Sequence, residues 1–228
     1  MKRYIFSLIA VFMALCNIDA QDRLYPARGS SSPVLEEYYS RRDSLLWNGY
    51  ENRDYLFLVN PSFSAEWACY YDLADSVLVL RVADKNIWYS AYGKKGRKLE
   101  TPAKVKVKEY RCPVSKEAMD KCNKLFFSAV MSSSYLAVPM GADGITYKIY
   151  WGSFIAECWS PLDDSNCYKL TKIIDSLTEA IKMKDTERID NLIPAMESLR
   201  VRFESLYPED LKKNNQWIDF LDYNGFPS

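Results

Sequence analysis

The period of the hydrophobic pattern changes along this chain, and that change limits its fold more than any other feature. Through the middle, apolar residues come in short runs or alternate strictly with polar ones, the spacing of strands. From residue 166 onward they recur every three or four residues, the spacing of an amphipathic helix. Strand-like segments are predicted at 55–59, 63–71, 76–82, 87–92, 104–108, 145–151 and 154–159. At 104–108, Lys104, Lys106 and Lys108 alternate with Val105 and Val107, so the valines face in and the lysines face out. At 145–151, Ile145, Tyr147, Ile149 and Trp151 share one face, and Gly152-Ser153 reads as the turn of a hairpin.

Helices are predicted at 33–47, 116–131, 166–183 and 186–206. Ser32-Pro33 marks the first start, and Ser115 caps the second with Val114 as its hydrophobic staple. The third carries a stripe of Leu170, Ile173, Ile174, Leu177 and Ile181. Pro194 interrupts the fourth and predicts a kink or two helices, because proline removes a hydrogen bond and clashes with the preceding turn. Strands grouped in the middle, without sustained strand–helix alternation, predict an α+β fold. It is an antiparallel sheet with helices packed mainly on one face and a helical C-terminal part. Residues 33–228 read as a single domain. Its tail beyond Pro208, with Trp217, Ile218, Phe220, Leu221 and Phe226, is expected to dock on the body.

Ahead of that domain, Lys2 and Arg3 precede an apolar run over 4–16, long enough for a signal-peptide core and short for a membrane span. Residues 1–20 therefore read as an export signal cleaved after Ala20. The alternative is lipidation at Cys16, although Leu15 is large for such a motif. Residues 21–32, with Pro26, Gly29 and three serines, read as a flexible tether. The processed chain is expected to be periplasmic or extracellular, with no transmembrane span. Losing Lys2, Arg3 and Asp19 leaves 28 cationic against 29 anionic side chains. That balance argues against nucleic acid as a partner.

An exported compartment permits disulfides. Beyond the signal stand Cys69, Cys112, Cys122, Cys158 and Cys167, an odd number whose pairing spacing alone does not determine. Two bridges suit the local structure. Cys158 and Cys167 flank a strand-to-helix connection, while Cys112 ends a strand and Cys122 lies two turns into the helix after it. Cys69 is expected to be a buried thiol.

The chain has no His, which removes His-based triads and the commonest metal ligand. No motif calls for a cofactor or a metal. Asp163-Asp164 reads as the start of the helix at 166 rather than as a working carboxylate pair. What stands out is the 14% of aromatic residues, since exposed rings stack on sugars or anchor protein interfaces. Trp88, Tyr89 and Tyr92 directly precede the basic loop Lys94-Lys95-Gly96-Arg97-Lys98. Trp88, Tyr89, Tyr92, Lys94, Lys95 and Arg97 are therefore the candidate ligand-binding group. The expected function is an exported, non-catalytic protein that binds a protein or glycan partner. The alternative is a carboxylate-dependent hydrolase acting on an envelope or dietary polysaccharide, a chemistry that needs no His. A thiol enzyme comes third and requires one exposed, activated cysteine.

Overall fold

The computed structural model describes residues 22–27, 32–47, 54–93, 96–135 and 143–209. Its strands are β1 (Tyr25–Pro26), β2 (Asp54–Pro61), β3 (Trp67–Asp72), β4 (Val77–Ala83), β5 (Val107–Pro113), β6 (Ile145–Trp151) and β7 (Phe154–Trp159). They form one antiparallel sheet in the order β1-β7-β6-β2-β3-β4-β5. The helices are α1 (Pro33–Trp47), α2 (Ile87–Tyr92), α3 (Lys116–Met131), α4 (Asn166–Met183), α5 (Thr186–Asp190) and α6 (Ile193–Ser205). This is the α+β fold predicted from the spacing.

The period-two pattern sorts the strand residues onto two faces. Phe57, Cys69, Leu80, Cys112, Ile149 and Cys158 point to the face covered by α3, α4 and α6, which carries the larger core. Leu58, Ala68, Tyr70 and Val79 point the other way, under α1 and the short α2. The C-terminal helices thus cover mainly one face, while the first helix closes the other. Val105 and Val107 pack into this second core, as their alternation with lysines requires.

Helix α4 crosses the sheet rather than running along a strand. Its first turn places Cys167 against Cys158 of β7, its middle places Asp175 near Tyr147 of β6, and its end brings Lys184 and Asp185 to Cys112 of β5. The five strand spacings from β7 to β5 amount to about 24 Å. An 18-residue helix is about 27 Å long, so α4 spans them. Ser165 caps it by accepting from the Tyr168 amide at 3.0 Å, with Asp164 left-handed (φ 69°) just before. The Asp163-Asp164 pair is therefore part of a helix start, as read from the sequence.

Five expectations are corrected or refined. The segment predicted as a strand at 104–108 is one only from Val107, where β5 begins before running on to Pro113. Segment 87–92 is a helix, not a strand: Asn86 caps it by accepting from the Tyr89 amide at 2.9 Å, and Gly93 ends it at φ 62°. Phe63 lies before β3, 65% exposed, so the strand starts at Trp67 rather than 63. The described part of the expected tether, 22–27, belongs to the fold. It adds β1 to the edge of β7 and buries Leu24 completely. Pro194 separates two helices by starting α6, where its missing amide costs no hydrogen bond. The segment 1–20, expected to be an export signal, and the tail beyond residue 209, expected to dock on the body, lie outside the described residues.

The approach of the β6–β7 hairpin to the preceding loop depends on Gly144. A Cβ there would stand 2.3 Å from Ser160 Oγ and 2.7 Å from the Trp159 ring. Ser160 Oγ also accepts from the Ile145 amide at 3.0 Å and cannot retreat freely. Gly144→Ala is expected to cost about 1–3 kcal/mol through overpacking, measured by urea unfolding. A variant within ~0.3 kcal/mol of the parent would show that Trp159 gives way freely.

Candidate functional site

The residues singled out around α2 come together only in part. The Trp88 ring stacks on Tyr92 at 4.4 Å and meets the edge of Tyr38 at 5.4 Å. Tyr92 is 3% exposed, and its hydroxyl donates to the Val34 carbonyl at 3.3 Å. These rings join α2 to α1, and Trp88 and Tyr89 are half-buried. Arg97 is exposed on the loop beyond, while Lys94 and Lys95 lie outside the described residues. That loop folds back on α2, with the Leu99 amide donating to Ala91 and the Ala103 amide to Ser90. Lys98 is already engaged by Glu37 at 2.6 Å. Truncating Tyr92 therefore disturbs packing as well as any surface it borders.

Beside α2 lies a buried acidic network. Glu66 is fully buried, and both of its carboxylate oxygens accept from the Ile87 amide, at 2.8 and 3.1 Å. The Tyr38 hydroxyl lies 2.6 Å from Asn60 Oδ1 and 3.0 Å from Glu66 Oε1. A phenol carries one proton, so it cannot donate to both. Either the Asn60 amide turns its NH2 toward the phenol or Glu66 holds a proton itself. Burial raises Glu66 above the ordinary carboxylate range despite the opposing backbone amides. Burial and the Glu66 charge also push Tyr38 up. The network positions α2, with Glu66 fully buried at its centre and Asn60 half-buried at its edge.

A second polar cluster lies under α1. The Arg42 guanidinium is buried, held by Asp43 at 2.7 Å, and lies over Tyr39 and Tyr38 at 4.8 and 5.7 Å. Lys148 reaches the Tyr39 ring from the sheet at 5.2 Å and pairs with Glu157 at 3.2 Å. Register places Lys148 opposite Glu157, so this ion pair bridges β6 and β7 directly. Cations and anions balance, and cation–π contacts occupy the guanidinium face.

The largest exposed rings and aliphatics of the hairpin sit at its tip. Trp151 is opposite Phe154, and Tyr150 is opposite Ile155. Phe154 is 57% exposed and Ile155 39%. Trp151 stacks loosely on Phe154 at 6.3 Å and rests edge-on against Phe127 of α3 at 4.6 Å. On the other face, Tyr150 meets Trp47 edge-on at 5.6 Å. Gly152 takes φ 53°, which closes the turn. The tip is thus anchored from both sides while its outermost side chains face water.

Sequence reasoning placed 154–159 as the returning strand and put Ile155 on a half-exposed face, but it did not recognise the tip as a site. The available signal was positional. Phe154 has the phase of the core residues Ala156 and Cys158, yet it stands next to the turn and is left largely exposed.

Among the described residues, no group of three His, Cys, Asp or Glu is placed to hold a metal ion. None of their helices is long and apolar enough to cross a membrane. No protein-family model, curated protein or solved structure matches the chain.

Proposed function

We propose that this chain is an exported, non-catalytic module that binds a protein partner through the tip of its β6–β7 hairpin. The observation that carries the reading is the exposed hairpin tip, where Phe154 stands beside Trp151 on one face of the sheet and Ile155 opposite Tyr150 on the other. Interface anchors are typically large apolar or aromatic side chains held on rigid supports. The surface also faces away from the end of the sheet where Asp22 enters. Strand β1 runs antiparallel to β7, with Tyr25 opposite Glu157, so Asp22 lies toward Trp159 and not toward Phe154.

A protein suits this surface better than a glycan. Sugar recognition combines ring faces with converging polar groups. Here the two charged residues of the hairpin strands, Lys148 and Glu157, already pair with each other at 3.2 Å. The export signal at 1–20 supports a partner in the envelope or outside the cell. The buried state of all five described cysteines weighs against a thiol enzyme.

The test is the pair Phe154→Ser and Ile155→Ser in the full chain, with immobilised protein probed by an envelope fraction. We expect partner recovery to fall at least about tenfold, the effect of losing an interface anchor. Stability should stay within ~0.5 kcal/mol, as for ordinary surface changes. Undiminished recovery would remove the tip from the proposal. Loss of binding to a glycan panel with no loss of protein capture would reverse the choice of partner.

A further inference from the structure

The five described cysteines are free thiols, so the structure contains neither of the bridges expected at Cys158–Cys167 and Cys112–Cys122. It does separate the two pairs. Cys112 has Lys184 and Asp185 as its charged neighbours, whereas the thiol that acts on Cys69 is that of Cys122. Cys158 and Cys167, by contrast, are hydrogen-bonded to each other. Cys158 occupies the core face of β7, opposite Tyr147, and Cys167 sits in the first turn of α4. Both are buried in the larger core, at the point where the chain leaves the sheet to begin its crossing helix.

We propose that Cys158 and Cys167 are a dithiol pair that closes to a disulfide when a small-molecule disulfide is supplied. The inference rests on the contact between the two thiols and not on the binding role assigned to the hairpin. In the first step, one cysteine thiolate attacks a sulfur of the donor, releasing one donor thiol and leaving a mixed disulfide. In the second, the other cysteine attacks the protein sulfur of that mixed disulfide and releases the second donor thiol. The protein loses two electrons and two protons, and the donor is reduced to two thiols.

Reaction requires a local opening. The hydrogen bond to Cys158, together with burial, pushes the Cys167 thiol well up, so little thiolate exists in the closed state. Asp22 adds a negative charge nearby and accepts from the Asn166 amide at 2.9 Å, tying the N-terminal segment over the start of α4. Once formed, the bridge fastens the β7 end of α4 to the sheet. The loop it closes is short, which sets a modest stabilisation.

The full chain, fully reduced and then equilibrated with oxidised glutathione, is denatured, alkylated without reductant and mapped by mass spectrometry. We expect the peptides of Cys158 and Cys167 to be joined, with Cys69, Cys112 and Cys122 alkylated. The oxidised protein should melt about 5–10 °C above its reduced form. In Cys158→Ser and Cys167→Ser this difference should vanish. Mapping of the unmutated chain decides the matter even if a variant fails to fold. Full alkylation of Cys158 and Cys167 after equilibration, or a bridge joining either to another cysteine, would overturn the proposal.

Discussion

Glu66→Ala is expected to destabilise the protein by about 3–4 kcal/mol, lowering the melting temperature by roughly 6–15 °C. The carboxylate accepts from the Ile87 amide at the start of α2 with both oxygens, and it also accepts from the Trp88 amide. With only six residues, α2 has no length over which to share the loss. Alanine would leave buried donors unpaired and open space beside Tyr38. A cost under ~1 kcal/mol in urea unfolding would mean that water enters and replaces the carboxylate.

Glu66→Gln separates shape from charge. One amide oxygen keeps the Ile87 bond, and the NH2 supplies the donor that the Tyr38–Asn60 arrangement lacks. Because burial raises the folded-state value of Glu66, its contribution to stability is complete at acid pH and is lost as pH rises through that value. Asp54 and Asp175, also raised by burial, act in the same direction. Glu37 and Glu197, lowered chiefly by hydrogen bonds from Lys98 and Arg200, act oppositely, but Glu37–Lys98 is an exposed pair and Glu197–Arg200 a half-buried one, and solvent screens both in part. The stability of the parent minus that of Glu66→Gln should therefore fall as pH is raised from 4.5 to 8. A difference that stays constant over this range would show that Glu66 keeps one protonation state throughout.

The contrast between α2 and the hairpin explains which parts of the fold were readable from sequence. Ile145–Trp151, Phe154–Trp159, Lys116–Met131 and Asn166–Met183 occur where spacing placed them, because each is long enough for its period and its caps to agree. Segment 87–92 was misread because Ile87, Trp88, Tyr89 and Tyr92 favour strands and six residues are too few to reveal a helical period. The deciding partner, Glu66, is 21 residues away in sequence and meets the Ile87 amide only in three dimensions. Leu24 was hidden for a related reason. A two-residue strand that includes Pro26 has no pattern of its own and exists because β7 presents an open edge. Sheet order was equally unreadable, since nothing in the spacing says that β6 joins β2 at Phe57–Ile149. At the candidate site, sequence pointed to aromatic rings as a class. It could not distinguish Tyr92, which fills a core, from Phe154, which leaves one.

Two phenylalanines make that distinction measurable. Phe126 is fully buried on α3, edge-on to Phe57 of the sheet at 6.2 Å. Its helix is held between the sheet and α6, with Lys121 of α3 paired with Glu197 of α6 at 3.4 Å and Ser128 of α3 donating to Glu204 at 3.2 Å. Those polar contacts on the outer side restrain α3 from sliding inward to fill a void. Phe126→Ala is therefore expected to cost about 3–5 kcal/mol and to lower the melting temperature by roughly 6–20 °C. Phe154→Ala removes a ring of the same chemistry from the tip and should leave stability within ~0.5 kcal/mol. Calorimetry of the two variants under identical conditions reads both effects. Equal melting points would mean either that the α3 core collapses around the missing ring or that the tip is part of the core, and unchanged partner capture by Phe154→Ala would favour the latter. If instead Phe126→Ala loses stability and Phe154→Ala loses only capture, the hairpin tip is held in water for a reason that folding does not supply.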